Sequence, residues 1–127
     1  MPKINKRGAT PFPVPLSDLT DSEREIVYRC LRVAADEPTV YPDWEFQTIF
    51  GLLRPDFAAI ADRWPNLDDD DQDVRFAINN SLNNLLGYPH KWQKEWDAHF
   101  AFSWTDVRDV FVKWRGERIA NHFEGML

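Results

Sequence analysis

The residues best suited to chemistry lie at positions 68–73, DDDDQD, where five acids occupy six positions. Crowded carboxylates can hold a divalent cation, start a helix, or attract a basic surface. Spacing tests the first. With Asp69, Asp71 and Asp73 as the opening ligands, an EF-hand requires Gly at loop position six and Glu at position twelve. Val74 and Asn80 stand there, and starting at Asp68 puts Asp73 at position six. An EF-hand is excluded. Acids ahead of an apolar run suit a helix N-terminus, where they cap and oppose the macrodipole. One cap and one or two first-turn acids would satisfy that role. The surplus makes Asp68, Asp69, Asp70, Asp71 and Asp73 candidates for docking a basic protein surface.

The segment that follows, VRFAINNSLNNLLG at 74–87, is the second chemical anomaly. At about 100° per residue, Val74, Ala77, Ile78, Ser81, Leu82 and Leu85 share one side of a helix. Asn79, Asn80, Asn83 and Asn84 cover the other, with Phe76 among them. Asn is a weaker helix former than Glu, Lys or Gln, so a purely solvated face would be more stable built from those. Each amide offers two donors and an acceptor. Two uses fit: tying down neighbouring loops or the N-terminal arm, or forming an interface with Phe76 as apolar anchor. Phe76, Asn80 and Asn83 join the aspartates as candidate partner-binding residues.

Other reactive types are dispersed. Glu95 and His99 are four apart, with His90 close in sequence, but no HExxH or Cys/His cluster accompanies them, so no metal is expected. Asp43 and Glu45, and Glu95 and Asp97, are two apart, and a helix turns such pairs to different faces. No GxSxG, phosphate-binding glycine loop or Ser/His/Asp signature occurs. The expectation leans away from an enzyme and includes no catalytic residue and no cofactor. Cys30 cannot form an intramolecular disulfide, and it falls on an apolar stripe as a small core residue.

These residues must be positioned by helices. Thr20 and Glu23 are spaced as a capping box, followed by Ile26, Val27, Cys30, Leu31 and Ala34 at helical spacing, with Glu37-Pro38 as the stop. A second helix is expected near Asp43–Arg54, carrying Phe46, Ile49, Phe50 and Leu53, with Trp44 and Leu52 at its flanks. A third is expected about Asp56–Trp64. The fourth runs through the asparagines to Gly87 and Pro89, a strong stop pair. Trp92, Trp96 and Phe100 recur at four-residue spacing. A last helix from Ser103 or Thr105 turns Val107, Val110, Phe111 and Trp114 inward until Gly116. Trp104 fits a staple at that helix start, and core packing is expected for most of the tryptophans. No run alternates long enough for a strand. The fold class is all-α, a compact bundle-like domain of five to six helices. Residues 1–16, with Pro2, Pro11, Pro13 and Pro15, form a basic extended N-terminal arm, and 17–127 a single helical domain.

The chain has 127 residues and a net charge of −6, unevenly distributed. Residues 17–90 carry fifteen acids and six arginines, and no lysine occurs between Lys6 and Lys91. Such a body repels phosphate backbones, so nucleic acid is not an expected partner. No apolar run approaches bilayer length, so neither is a membrane. One cysteine fits a reducing compartment, and a cytoplasmic location is expected. The leading functional expectation is a small acidic protein-binding domain of the inhibitor, antitoxin or immunity kind, engaging a protein partner with a basic surface. The alternatives are a self-associating structural component, meeting its copy as a homodimer, and a small helical enzyme.

Overall fold

Two helix starts in this protein are written in side chains as capping boxes. Thr20 accepts from the Glu23 amide at 3.2 Å while the Glu23 carboxylate accepts from the Thr20 amide at 2.8 Å. Ser103 and Asp106 repeat the device, each bond at 3.0 Å. In both, orphan N–H groups of the first turn find partners and the entering chain is fixed. The computed structural model describes residues 13–38, 40–87 and 96–116, all-helical with no strand among them. A single 3-10 turn, Leu16–Asp18, precedes six α-helices. These are α1 (Asp21–Asp36), α2 (Asp43–Phe50), α3 (Arg54–Asp62), α4 (Gln72–Gly87), α5 (Trp96–His99) and α6 (Trp104–Arg115). The arm's residues 1–12, and Trp92, lie outside the described residues.

α1 and α4, sixteen residues each, form the central pair. α6 lies against both. α3 packs on α1, and α2 on α4 and α3. The core falls where their stripes meet: Val27, Leu31, Val74, Ile78, Leu82, Val107 and Phe111 are buried. Beneath α2 sits an aromatic cluster. Phe46 and Phe50 stack at 4.4 Å, and both meet Phe57 edge-on. Phe50 also receives Tyr41 at 4.9 Å. Each fully buried phenylalanine contributes about 1.5–3 kcal/mol through the area it removes from water.

Two boundaries depart from the periodicity. α2 stops at Phe50 and not at Arg54, because Gly51 takes φ 75°, a left-handed cap favoured by glycine. Leu53 is thereby released from the apolar stripe and starts α3 as its N-cap, so α3 begins two residues early, at Arg54. It also ends early, at Asp62. Beyond it, Trp64 packs at the core margin and stacks on Tyr28 at 5.4 Å.

Arg54 is the residue that periodicity undervalues. A cation in the first turn opposes the helix dipole, so another interaction must hold it there. Its Nη1 donates to the Ala34 carbonyl in the last turn of α1 at 2.5 Å. Nη2 donates to the Tyr41 carbonyl in the following loop, and Nε to Asp43 Oδ1 at 2.6 Å. The guanidinium lies 4.3 Å from the Phe46 ring centroid. One planar fork thus joins the end of α1, the start of α2 and the start of α3. On the other flank, Lys113 of α6 reaches Glu23 of α1 at 2.6 Å. That hydrogen bond, aided by the Thr20 amide, holds the Glu23 carboxyl below its ordinary range.

Two consequences are measurable in urea. Arg54→Met leaves two carbonyls and a carboxylate without their donor and should cost about 3 kcal/mol. Arg54→Lys should recover only part, because an ammonium cannot bridge three partners in one plane. Glu23→Gln keeps the capping box but removes the charge facing Lys113. A lowered folded-state pKa contributes stability above the unfolded-state value and loses it as Glu23 protonates. The wild-type advantage should be full at neutral pH, below about 1 kcal/mol for so exposed a pair, and gone in acid well under the ordinary 4.5. An advantage that persists in strong acid would show that the pair is not its source.

Candidate functional site

The acidic run is used first to build the chain's own turns. Asp71 immediately precedes α4, and its Oδ1 accepts from the Asp73 amide at 2.8 Å and the Val74 amide at 3.4 Å. Asp68 Oδ1 accepts from the Asp70 amide at 2.9 Å. Asp69 Oδ1 accepts from the Leu16 amide at 3.1 Å and so fastens the segment leading into the 3-10 turn. Arg75 closes the loop, donating to the Asp69 carbonyl at 2.7 Å and reaching Asp70 at 3.4 Å. Asp68, Asp69 and Asp71 thus each accept a backbone amide, and Asp70 pairs with Arg75. Asp70, 93 % exposed in its ion pair, and Asp73, exposed in the first turn of α4, carry their charge outward.

The asparagines divide in the same way. Asn80 Nδ2 donates to the Phe50 carbonyl at 2.9 Å, and Asn84 Nδ2 to the Ile49 carbonyl at 3.2 Å. Both carbonyls belong to the last turn of α2, where no intrahelical donor exists. Asn79 donates to Asn80 Oδ1 at 3.1 Å. Asn has a short reach and a donor at its tip, which suits a cap across two packed helices better than the longer, floppier Gln or Lys. The sequence allows the amide face two uses, an internal tie or an interface. For Asn80 and Asn84 the geometry is that of the internal tie. All four asparagines are half-buried.

Between α4 and the C-terminal end of α6 lies an open depression of about 460 Å³, lined by Pro13, Asp70, Arg75, Phe76, Asn79, Trp114 and Arg115. Phe76 is 42 % exposed on its wall. The predicted site residues are thus partly brought together. Asp70 and Phe76 share the depression, Asp73 stands nearby on α4, Asn83 lies two turns on, and Asn80 points to α2. The charge is mixed, since Arg75 and Arg115 face Asp70. A second, shallower cleft between α3 and the start of α4 sets Asp56, Asp71 and Asp73 around Leu52, Ile60 and Arg63.

Cys30 is placed unhelpfully for covalent chemistry. Cys30 is buried, and burial pushes its thiol far above the usual range, so a thiolate nucleophile is disfavoured. Among the described residues no three His, Cys, Asp or Glu side chains converge as metal ligands would. Arg32 is held protonated by Asp36 at 2.6 Å and Asp62 at 2.7 Å. No helix among the described residues is long and apolar enough to cross a membrane.

Sequence reasoning passed over Trp44 and Leu53. Trp44 is 82 % exposed and Leu53 53 %. The signal for Trp44 was present: two residues before Phe46, it lies about 160° around the helix from that core side chain. Leu53 was hidden by the assumption that α2 runs on to Arg54. Trp104, by contrast, is half-buried against the core, its Nε1 donating to the Leu86 carbonyl at 3.1 Å. Trp96 Nε1 likewise donates to the Phe102 carbonyl at 2.7 Å. No protein-family model, no curated protein and no solved structure matches this chain.

If the amides are caps, Asn80→Ala should destabilise by about 1 kcal/mol. Asn80→Asp should cost more, since it sets a carboxylate against the Phe50 carbonyl. Asn83→Ala should stay within about 0.5 kcal/mol of wild type. Chemical denaturation with equal m-values checks the order, and an Asn80→Ala protein as stable as wild type would remove the cap.

Proposed function

We propose that this chain is a small acidic protein-binding domain that engages a basic protein partner. Its contact surface is the outer strip of α4, with Phe76 as apolar anchor and Asp70 and Asp73 as steering charges. The observation that carries this reading is Phe76 itself: a large aromatic, 42 % exposed, on the wall of a depression beside a 93 %-exposed aspartate. A half-exposed aromatic in a polar setting is the composition of a binding hot spot. The surplus of fifteen acids over six arginines in residues 17–90 supplies long-range attraction for a cationic surface. A domain of this kind acts by covering its partner, as an inhibitor, antitoxin or immunity protein does. Asn80, engaged with α2, drops from the contact list, and the half-buried Asn83 stays on it.

Self-association is the second reading, favoured by the mixed charge of the depression. A two-fold contact would bring Asp70 of one copy towards Arg75 or Arg115 of the other.

The two readings are separated by the same variants. With a basic partner isolated from the native host and purified, Phe76→Ala should weaken affinity about tenfold, mainly through faster dissociation. Asp70→Asn with Asp73→Asn should slow association and flatten its dependence on salt. Unchanged kinetics in both variants would remove the α4 surface. Light scattering that finds a dimer in the wild type and a monomer in Phe76→Ala would establish the second reading instead.

A further inference from the structure

The first described residue of the arm, Pro13, lines the depression between α4 and α6. With Val14 it also borders a narrower crevice over Val74 and Ile78, and Arg75 and Trp114 belong to both hollows. The base of the arm thus already lies along the α4–α6 seam. The Val14 amide donates to the Trp114 carbonyl at 3.0 Å, and the Leu16 amide to Asp69 Oδ1 at 3.1 Å. Those bonds fasten it to the end of α6 on one side and to the loop before α4 on the other. Its apolar side chains are turned to the domain: Leu16 is buried, and Val14 packs against the core. The next apolar side chain along the arm is Phe12, which adjoins Pro13 in the sequence. Consecutive Cα atoms are about 3.8 Å apart, so this phenyl group is tethered at the rim of the depression on whose wall Phe76 is exposed.

We infer that the resting occupant of this depression is the chain's own arm, with Phe12 laid against Phe76, and that a partner must displace it. The displacement rests on the α4 reading, whereas the occupancy does not. Tethering favours this occupant, because a side chain held one residue from the rim is present there at an effective concentration that a free ligand rarely reaches. Polarity favours it as well. The wall sets Asp70 beside Arg75 and Arg115, so charge alone does not choose the occupant, and the group left unmatched is the Phe76 ring. Aromatic pairs gain more than their buried area alone. The tail beyond Gly116 leaves from the same side, but its first large apolar side chain, Ile119, is four positions beyond the lining residue Arg115. An arm that covers Phe76 lowers the fraction of molecules competent to bind, and the partner's apparent affinity falls by that fraction.

The test is a double-mutant cycle on the full chain, read as urea midpoints at constant m-value. Phe12→Ala and Phe76→Ala should be coupled, the double variant losing clearly less than the two single losses together. The cycle is needed because alanine favours a helix, so Phe76→Ala alone mixes that gain with the lost contact. Phe12→Ala with Trp44→Ala should be additive. Additive shifts for Phe12 and Phe76 overturn the occupancy. Coupling of Phe76→Ala to Phe123→Ala in place of Phe12→Ala also overturns it, since the tail would then fill the depression. So does a coupling that appears only as protein concentration rises, because the arm would then come from a second copy. With the purified basic partner, Phe12→Ala should tighten binding about fivefold, and an unchanged or weakened affinity overturns the displacement. A partner indifferent to Phe76→Ala removes the α4 reading and the displacement with it, while the occupancy stands or falls on the cycle alone.

Discussion

An α-helix ends on carbonyls that its own chain cannot satisfy, and a small bundle of short helices has many such ends relative to its core. Here four helices meet that constraint with donors from elsewhere in the chain. The Ala34 carbonyl of α1 receives Arg54 from α3. Ile49 and Phe50 of α2 receive Asn84 and Asn80 from α4, and Leu86 of α4 receives Trp104 from α6. Trp114 of α6 receives the Val14 amide at 3.0 Å. The helices that share a cap are also helices that pack: α1 with α3, α2 with α4, α4 with α6. Hydrogen bonding at the ends and apolar contact between the flanks specify the same arrangement, a consistency expected of a sequence with one well-defined fold.

This economy of donors governs what is left for recognition. The asparagine face and the acidic run look like one continuous binding surface, yet Asn80, Asn84, Asp68, Asp69 and Asp71 all have internal partners. Exposed nonetheless are Phe76 with Asp68, Asp70 and Asp73, and, in α2 and at the start of α3, Trp44 and Leu53. Both sets join an apolar side chain to nearby carboxylates. Neither resembles a catalytic centre, in which titratable groups converge on one point. The charge imbalance belongs to the molecule as a whole, whereas the exposed apolar side chains are local.

The helical class, the Thr20–Glu23 capping box and the α1, α4 and α6 stripes were legible because each is a local pattern. Of the two starts expected for the last helix, Ser103 and Thr105, the structure takes Ser103, where Asp106 completes a second capping box. The end of α2 was misjudged because Arg54-Pro55 is a louder stop than Gly51, and the glycine's backbone angle decided the matter. Asn80 and Arg54 were harder, since each serves a carbonyl twenty or more positions away, and no periodicity records such a debt. The asparagines did carry a trace, being less favourable than other helix formers at those positions. Arg54 carried one as well, a positive charge at a helix start. Trp44 was readable from the wheel alone, had its angle to Phe46 been weighed above its hydrophobicity.

Caps shared between helices also change how the molecule can come apart. A helix whose end is closed only by its own residues can fray at the tip while its neighbours stay intact. A helix whose last carbonyls are held by another helix loses those bonds only when one of the two moves away. The terminal turns of α1, α2 and α4, ordinarily the first to breathe, are thereby coupled to the separation of packed pairs. Slow amide exchange should then reach to the very ends of these helices, and opening should proceed through few, large steps.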